Sequence, residues 1–558
     1  MTNKVRYLLI LLVASVSFSS CKTEKSNKED LKIVEVKEWQ PTDTRSFSEV
    51  SAERGLILNT EKGTDGYVLF EPSSSLFTFL INKEGDVVHT WESDLNSMNS
   101  YLQPNGHLIR MERDEDFPTF AAGGQSGRIR EYDWDGNILW DFKYFSETEL
   151  THHDMEVMPN GNILAISYEA LSLDEAVAAG KDPHHIPKAG IWLDKIIEIE
   201  PIKPDGGNIV WEWHMKDHLI QEIDSTKSNY GVIAENPRKI NINIPSAEAG
   251  PPMTEEQVAQ MIKMGMMTSN ATVDNQGSDL THTNAVSYNP GLNQIVMSVP
   301  GFGEIYVIDH STTTEEAKGS TGGTAGHGGD LLYRWGNPAN YGRGTKADQE
   351  LFFQHDAKWI PEGYPGAGHL MVYVNDIPDP NNKLPSLGAA LGGANSPEMN
   401  VAIEDIGNYS AVYEWTIPTD EAGNYVLPDG GAFGPEDPDW SYTAPDKYSL
   451  YSAFVSGAHR LENGHTLITQ GMQGRFFEID KNKDIVWEYW TPYKFDYTLP
   501  DGSASQPTGP FIFGMFRSTL YPAEFNAFEG KDLQPIDPQP EPFVFKMPPP
   551  PPAQDGEH

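Results

Sequence analysis

The sequence predicts an all-β fold, a six-bladed β-propeller with a few helical and loop insertions, spanning residues 49–534. Three observations predict it. A hairpin unit recurs along the chain, a tryptophan closes each of six units, and 50 glycines with 41 prolines supply many turns.

The first half of the unit reads Tyr101-Leu102-Gln103-Pro104-Asn105-Gly106-His107-Leu108-Ile109. It returns as Val157-Met158-Pro159-Asn160-Gly161-Asn162-Ile163-Leu164 and as Arg460-Leu461-Glu462-Asn463-Gly464-His465-Thr466-Leu467-Ile468. Asn-Gly between apolar runs marks a hairpin, because both residues tolerate positive φ. The second half is an apolar hairpin ending in tryptophan at Trp91, Trp140, Trp211, Trp335, Trp415 and Trp487. Radial repetition of four-stranded units gives a propeller; a β-sandwich would leave six similar units unexplained. Two insertions read as helices. Ser172-Leu173-Asp174-Glu175 and Thr254-Glu255-Glu256-Gln257 are capping-box patterns, and the second leads into Val258, Met261, Ile262 and Met266 at helical spacing. Such inserts are expected over one mouth of the central channel.

The chain ends read differently. Lys4 and Arg6 precede an apolar run over residues 8–16, followed by Phe18-Ser19-Ser20-Cys21. This is a secretory signal over residues 1–20, too short to span a bilayer comfortably. Cys21, the single cysteine, stands where a bacterial lipoprotein signal places its lipidated residue. Lipidation would leave no thiol for catalysis or metal ligation. Residues 21–48 read as a tether, and residues 535–558 as a proline-rich tail outside the folded body. The expected location is that of an exported lipoprotein, in the periplasm or at the outer membrane or cell surface, held to the membrane by lipid. A net charge of −41 argues against nucleic acid as a partner.

The turns act as a ruler for aligning blades. Seven residues before Asn160 is His153, seven before Asn289 is His282, and seven before Glu362 is His355. The same count gives Met98 and Ser456 in two further blades, so the fold does not demand histidine there. Matching positions on innermost strands must meet around one axis. Imidazole can accept, donate or hold a proton near neutrality, which suits group transfer. His152, Asp154, Thr281, Asn284, Gln354 and Asp356 flank the three. His459 lies in the last blade, and Arg475 is expected near the axis as a fixed cation for an oxyanion.

Several stretches resemble the bacterial aryl-sulfate sulfotransferases, or arylsulfotransferases. They are Asp279-Leu280-Thr281-His282-Thr283-Asn284-Ala285-Val286, Ile305-Tyr306-Val307-Ile308-Asp309-His310-Ser311-Thr312, Gln354-His355-Asp356-Ala357, Tyr333-Arg334-Trp335-Gly336-Asn337-Pro338 and Ser456-Gly457-Ala458-His459-Arg460-Leu461. The resemblance implies a six-bladed propeller that moves a sulfuryl group from a small-molecule sulfate ester to a phenolic acceptor. It needs no soluble nucleotide donor or other cofactor and passes through a sulfohistidine. His282 with Asn284, and His355, match the family's sulfate-binding and proton-handling positions. Two of the chain's departures from the family touch the site. Tyr373-Val374-Asn375-Asp376-Ile377-Pro378 lacks the family's arginine, and the nucleophilic histidine falls near Arg475 or His459. From the residues alone, a propeller that only binds a sulfated ligand and a metal enzyme with Zn, Fe or Mn on the imidazoles remain open.

Overall fold

The computed structural model describes residues 54–244, 253–263, 267–382, 384, 407–494 and 512–543. The secretory signal, Cys21 and the tether lie outside the described residues, as does the end of the proline-rich tail. Six antiparallel sheets form the six blades of a β-propeller. From the axis outward, blade 1 runs Met515–Pro522, Gly66–Pro72, Phe77–Ile81 and Val87–Glu92. Blade 2 begins at Asn96–Leu102, blade 3 at Glu149–Val157, blade 4 at Ala285–Asn289, blade 5 at His355–Trp359 and blade 6 at Gly457–Arg460.

The ring closes twice. The last strand, Met515–Pro522, becomes the innermost strand of blade 1, pairing Tyr521 with Tyr67 and Leu520 with Val68. The first strand, Gly55–Asn59, adds a fifth, outer strand to blade 6 against Ile485–Trp490. Apolar clusters fill each gap between blades, as between blades 3 and 4, where Ile166, Ile196, Met297 and Ile308 pack together.

The hairpin turns form where expected but by a different device. Only the glycines take positive φ, at 84° for Gly106, 87° for Gly161 and 86° for Gly464. The asparagine works through its side chain: Asn105, Asn160 and Asn463 each accept from the amide two residues on, at 2.9 Å.

The recurrent tryptophan is a clasp between blades. Trp91, Trp140, Trp211, Trp335 and Trp487 lie on outer strands. Each indole donates to the connection between the third and fourth strands of the next blade or, for Trp140, to the first residue of the fourth strand. The acceptors are Asp133 O, Gly206 O, Thr312 Oγ1, Pro435 O and Lys83 O. Trp415 departs from the expected repeat. It ends the third strand of its blade, Asn408–Trp415, and donates backward to the Tyr333 hydroxyl at 3.0 Å.

Both helices form. In α1, Leu173–Ala178, Ser172 and Glu175 cap reciprocally, and Thr254 with Gln257 do the same for α2, Glu255–Lys263. Val258 and Ile262 of α2 pack with Phe117, Phe120, Tyr168 and Trp192. The tail leaves the body later than its composition predicts. The Ile536 amide donates to Val87 O and the Phe543 amide to Pro492 O, while the Phe543 ring meets Phe513. Among the described residues no helix is long and apolar enough to cross a membrane.

Trp487 joins the last blade to the first and is fully buried. Trp487→Ala is expected to cost about 3–5 kcal/mol, read as a lower urea midpoint; an unchanged midpoint would show that the clasp carries no stability.

Candidate active site

His153, His282 and His355 meet at the axis. His153 sits within the innermost strand of blade 3, His282 just ahead of that of blade 4, and His355 opens that of blade 5. The His153 and His282 ring centroids lie 4.5 Å apart at 73°. Phe516, on the closing strand, stands 5.9 Å from His153 and 6.2 Å from His355. The backbone is left-handed at two of the three matching points, with φ of 56° at His153 and 53° at His282. Residues with side chains adopt this conformation rarely and at a cost, which the surrounding blade must offset.

Each imidazole is held differently. His282 Nδ1 bonds the Asp279 carboxylate, which also accepts from the Tyr168 hydroxyl. His355 Nδ1 donates to Asn375 Oδ1 and Phe353 O, both at 2.9 Å, and its Nε2 accepts from the Val455 amide at 3.1 Å. His153 Nδ1 lies 2.8 Å from His152 Nδ1, and His152 Nε2 lies 3.0 Å from Asp194 Oδ1. Gly123 and Gly124 form a wall against the cluster. A Cβ on Gly124 would stand 2.2 Å from the His153 ring, so only glycine fits.

The family model for arylsulfotransferase (ASST) matches residues 53–489. The chain belongs to the arylsulfotransferase family. Membership points to sulfotransfer without a nucleotide donor, between small sulfate esters and phenols. No curated protein matches the sequence significantly. Similar solved structures include a protein of unknown function from Bacteroides caccae, at 10% identity and TM-score 0.38, covering 82% of this chain and 99% of that one. A streptogramin B lyase shares 10% identity at TM-score 0.33, over 85% and 97% of the two chains. A putative 6-phosphogluconolactonase from Bacteroides fragilis shares 9% at TM-score 0.32, over 83% and 99%.

The other site residues read from the sequence of this arylsulfotransferase scatter around the cluster. Thr281 is buried and donates to Asp194 Oδ2 at 2.6 Å. Asn284 is buried with its Nδ2 on Gln354 O at 2.9 Å, so it ties blade 4 to blade 5. Asp356 accepts from the Ala458 amide and pairs with Lys358 and Arg517. His459 lies deeper in the channel, where Lys358 donates to its Nδ1 at 3.0 Å and its Nε2 donates to Ser518 O at 2.7 Å.

Arg475 is not at the axis. It lies on the third strand of blade 6, Arg475–Ile479, bonded to Glu488 and Gln470, because the strand alternation turns it into that blade. The axial arginine is Arg517, which bonds Tyr101, Asp154 and Asn284 O and pairs with Asp356. The turn ruler misses it because no Asn-Gly turn follows the closing strand. Asp194 carried a signal, the one acid in the stretch Ile191-Trp192-Leu193-Asp194-Lys195-Ile196-Ile197. Asp279, three residues before His282, carried another.

Among the described residues, no three His, Cys, Asp or Glu side chains stand together as a metal ion requires. The Nδ1 atoms of all three axial histidines are already engaged.

Burial drives His153, His355 and His459 neutral. It lowers the His355 pKa from 6.5 to about 3, with the charges of His282 and Arg517 acting the same way against the bonds to Asn375 and Phe353. Burial, followed by Lys358, also takes His459 to about 3. Between these values and 6.5 the unfolded chain binds protons that the folded chain does not, so stability falls as pH drops from 6.5 toward 3. His459→Gln should flatten this loss in chemical denaturation series across that range; an identical slope would contradict a neutral buried His459.

Proposed function

We propose that the cluster of His153, His282 and His355 transfers a sulfuryl group from an aryl sulfate ester to a phenolic acceptor. The observation that carries this reading is the meeting of imidazoles from three successive blades in an arylsulfotransferase chain. His282 is the least buried of the three and rests on Asp279. That carboxylate suits it to hold a proton, give it to the leaving phenolate and take one from the incoming phenol. A second imidazole accepts the sulfuryl group, dividing one hard transfer into two easier ones through a sulfohistidine. Arg517 supplies positive potential from the next layer, and Phe516 offers a ring face to an aryl group. His355 fixes the wall through Asn375 and Val455.

A binding-only reading draws on one observation. Asn375 occupies the stretch where the family carries arginine, and it is buried and committed to Ser452 O and Val455 O. Turnover decides between the two readings. With a chromogenic aryl sulfate and phenol, His282→Ala and His355→Ala should each lower kcat by about 10²-fold or more while the circular dichroism spectrum stays native. Full activity in both variants removes the catalytic reading, and ligand binding by a wild-type protein that never turns over favours the second.

The basic start, short apolar run and Cys21 support an exported lipoprotein, tethered to a membrane outside the cytoplasm. Labelling cells with an alkynyl fatty acid should mark the wild-type chain and leave Cys21→Ser unmarked; equal labelling would refute the anchor.

A further inference from the structure

The geometry points to His153 as the residue that carries the sulfuryl group, with His152 and Asp194 as a proton relay behind it. This inference rests on the sulfuryl-transfer reading and specifies its nucleophile.

With His152 neutral, hydrogen-bond direction fixes the tautomers. A carboxylate only accepts, so the proton between His152 Nε2 and Asp194 Oδ1 belongs to His152. Neutral His152 then has its lone pair on Nδ1, which accepts from Nδ1–H of His153 at 2.8 Å. The lone pair of His153 is left on Nε2, an atom that no hydrogen bond among the described residues engages, beside His282. The alternatives are committed elsewhere. His355 uses both nitrogens, His459 spans Lys358 and Ser518 O, and His282 faces a carboxylate that favours its protonated form.

The relay is built, not incidental. Asp194 is fully buried, and its Oδ2 accepts from Thr281 Oγ1 at 2.6 Å and the Thr283 amide at 2.8 Å. Burial opposes its ionisation, but the bonds from His152, Thr281 and Thr283 outweigh this and hold its pKa below the usual range. His152 is also fully buried, stacked on Tyr168 with centroids 3.5 Å apart and rings 4° from parallel. Burial, then the positive charge of His282 and of Arg517, keeps His153 unprotonated and nucleophilic.

The step balances. His153 Nε2 forms the N–S bond as the bond between sulfur and the aryl oxygen breaks, and the electron pair leaves on that oxygen. Protonated His282 gives its proton to the phenolate. The Nδ1 proton of His153 passes to His152, so the new positive charge rests beside Asp194. In the second half, the acceptor phenol gives its proton to His282, its oxygen takes the sulfuryl group, and the relay proton returns to His153. His152 and Asp194 are positioning residues, since neither touches the substrate.

The test is to quench the full-length protein after exposure to para-nitrophenyl sulfate and map the sulfonated residue by peptide mass spectrometry. The added mass is expected on His153 and lost in His153→Gln. Sulfonation of His282, His355 or His459 would overturn the inference while leaving sulfuryl transfer intact. Neither label nor turnover would overturn both. Asp194→Asn and His152→Gln should lower kcat by about 10–10²-fold at unchanged KM and move the acid limb of the pH–rate profile. A uniform loss with an unmoved profile in both variants would reduce the pair to structural support and sink the relay.

Discussion

One guanidinium, delivered by the strand that closes the ring, ties the axis together. Arg517 belongs to blade 1, yet it reaches Tyr101 of blade 2, Asp154 of blade 3, Asn284 O of blade 4 and Asp356 of blade 5. It is buried with two carboxylates, so any one of the three charges left alone would be costly to keep from water. The last strand to join therefore also completes the charge balance of the centre. Lys358 adds a second cation beside Asp356. Glu156 lies near both acids, and burial followed by Asp154 raises its pKa to about 8, which keeps it protonated at neutral pH. Two cations and two carboxylates thus balance while a third acid stays neutral.

This balance shapes the chemistry one layer away. His153 and His355 lie next to Arg517 and to each other, so protonating either is opposed twice, by burial and by neighbouring positive charge. His282 differs because Asp279 stands against its Nδ1 and its ring opens toward solvent. Imidazoles a few ångströms apart are thereby set to different tasks by their partners alone, two kept neutral and one equipped to hold a proton.

The scaffold makes such placement repeatable. Five outer-strand indoles donate to the next blade, which sets the rotation from blade to blade, and the double closure leaves no blade at a free end. The insert carrying α2 packs on Phe120, Tyr168 and Trp192. Tyr168 in turn stacks on His152 and bonds Asp279. The insert thus reaches the supports of two of the axial histidines through one aromatic layer.

The sequence alone determined whatever depends on local period. Asn-Gly turns, alternating apolar strands and recurring tryptophans dictate short hairpins. Counting from those turns placed His153, His282 and His355 at one depth, because equivalent positions on repeated units must be related by the rotation that repeats them. The tertiary structure decided whatever depends on which strand stands opposite another. Arg517 sits far along the chain in a strand with no turn to count from, and only ring closure brings it to Asp154 and Asp356. Arg475 reads from the sequence as the axial cation, yet strand alternation turns it into the blade against Glu488. The division of labour among the histidines rests on Asp279, Asp194 and Asn375, whose proximity follows from loops and second strands that no repeat fixes. Periodicity reports angle and depth about an axis; the partner that sets an imidazole's proton is settled only by packing.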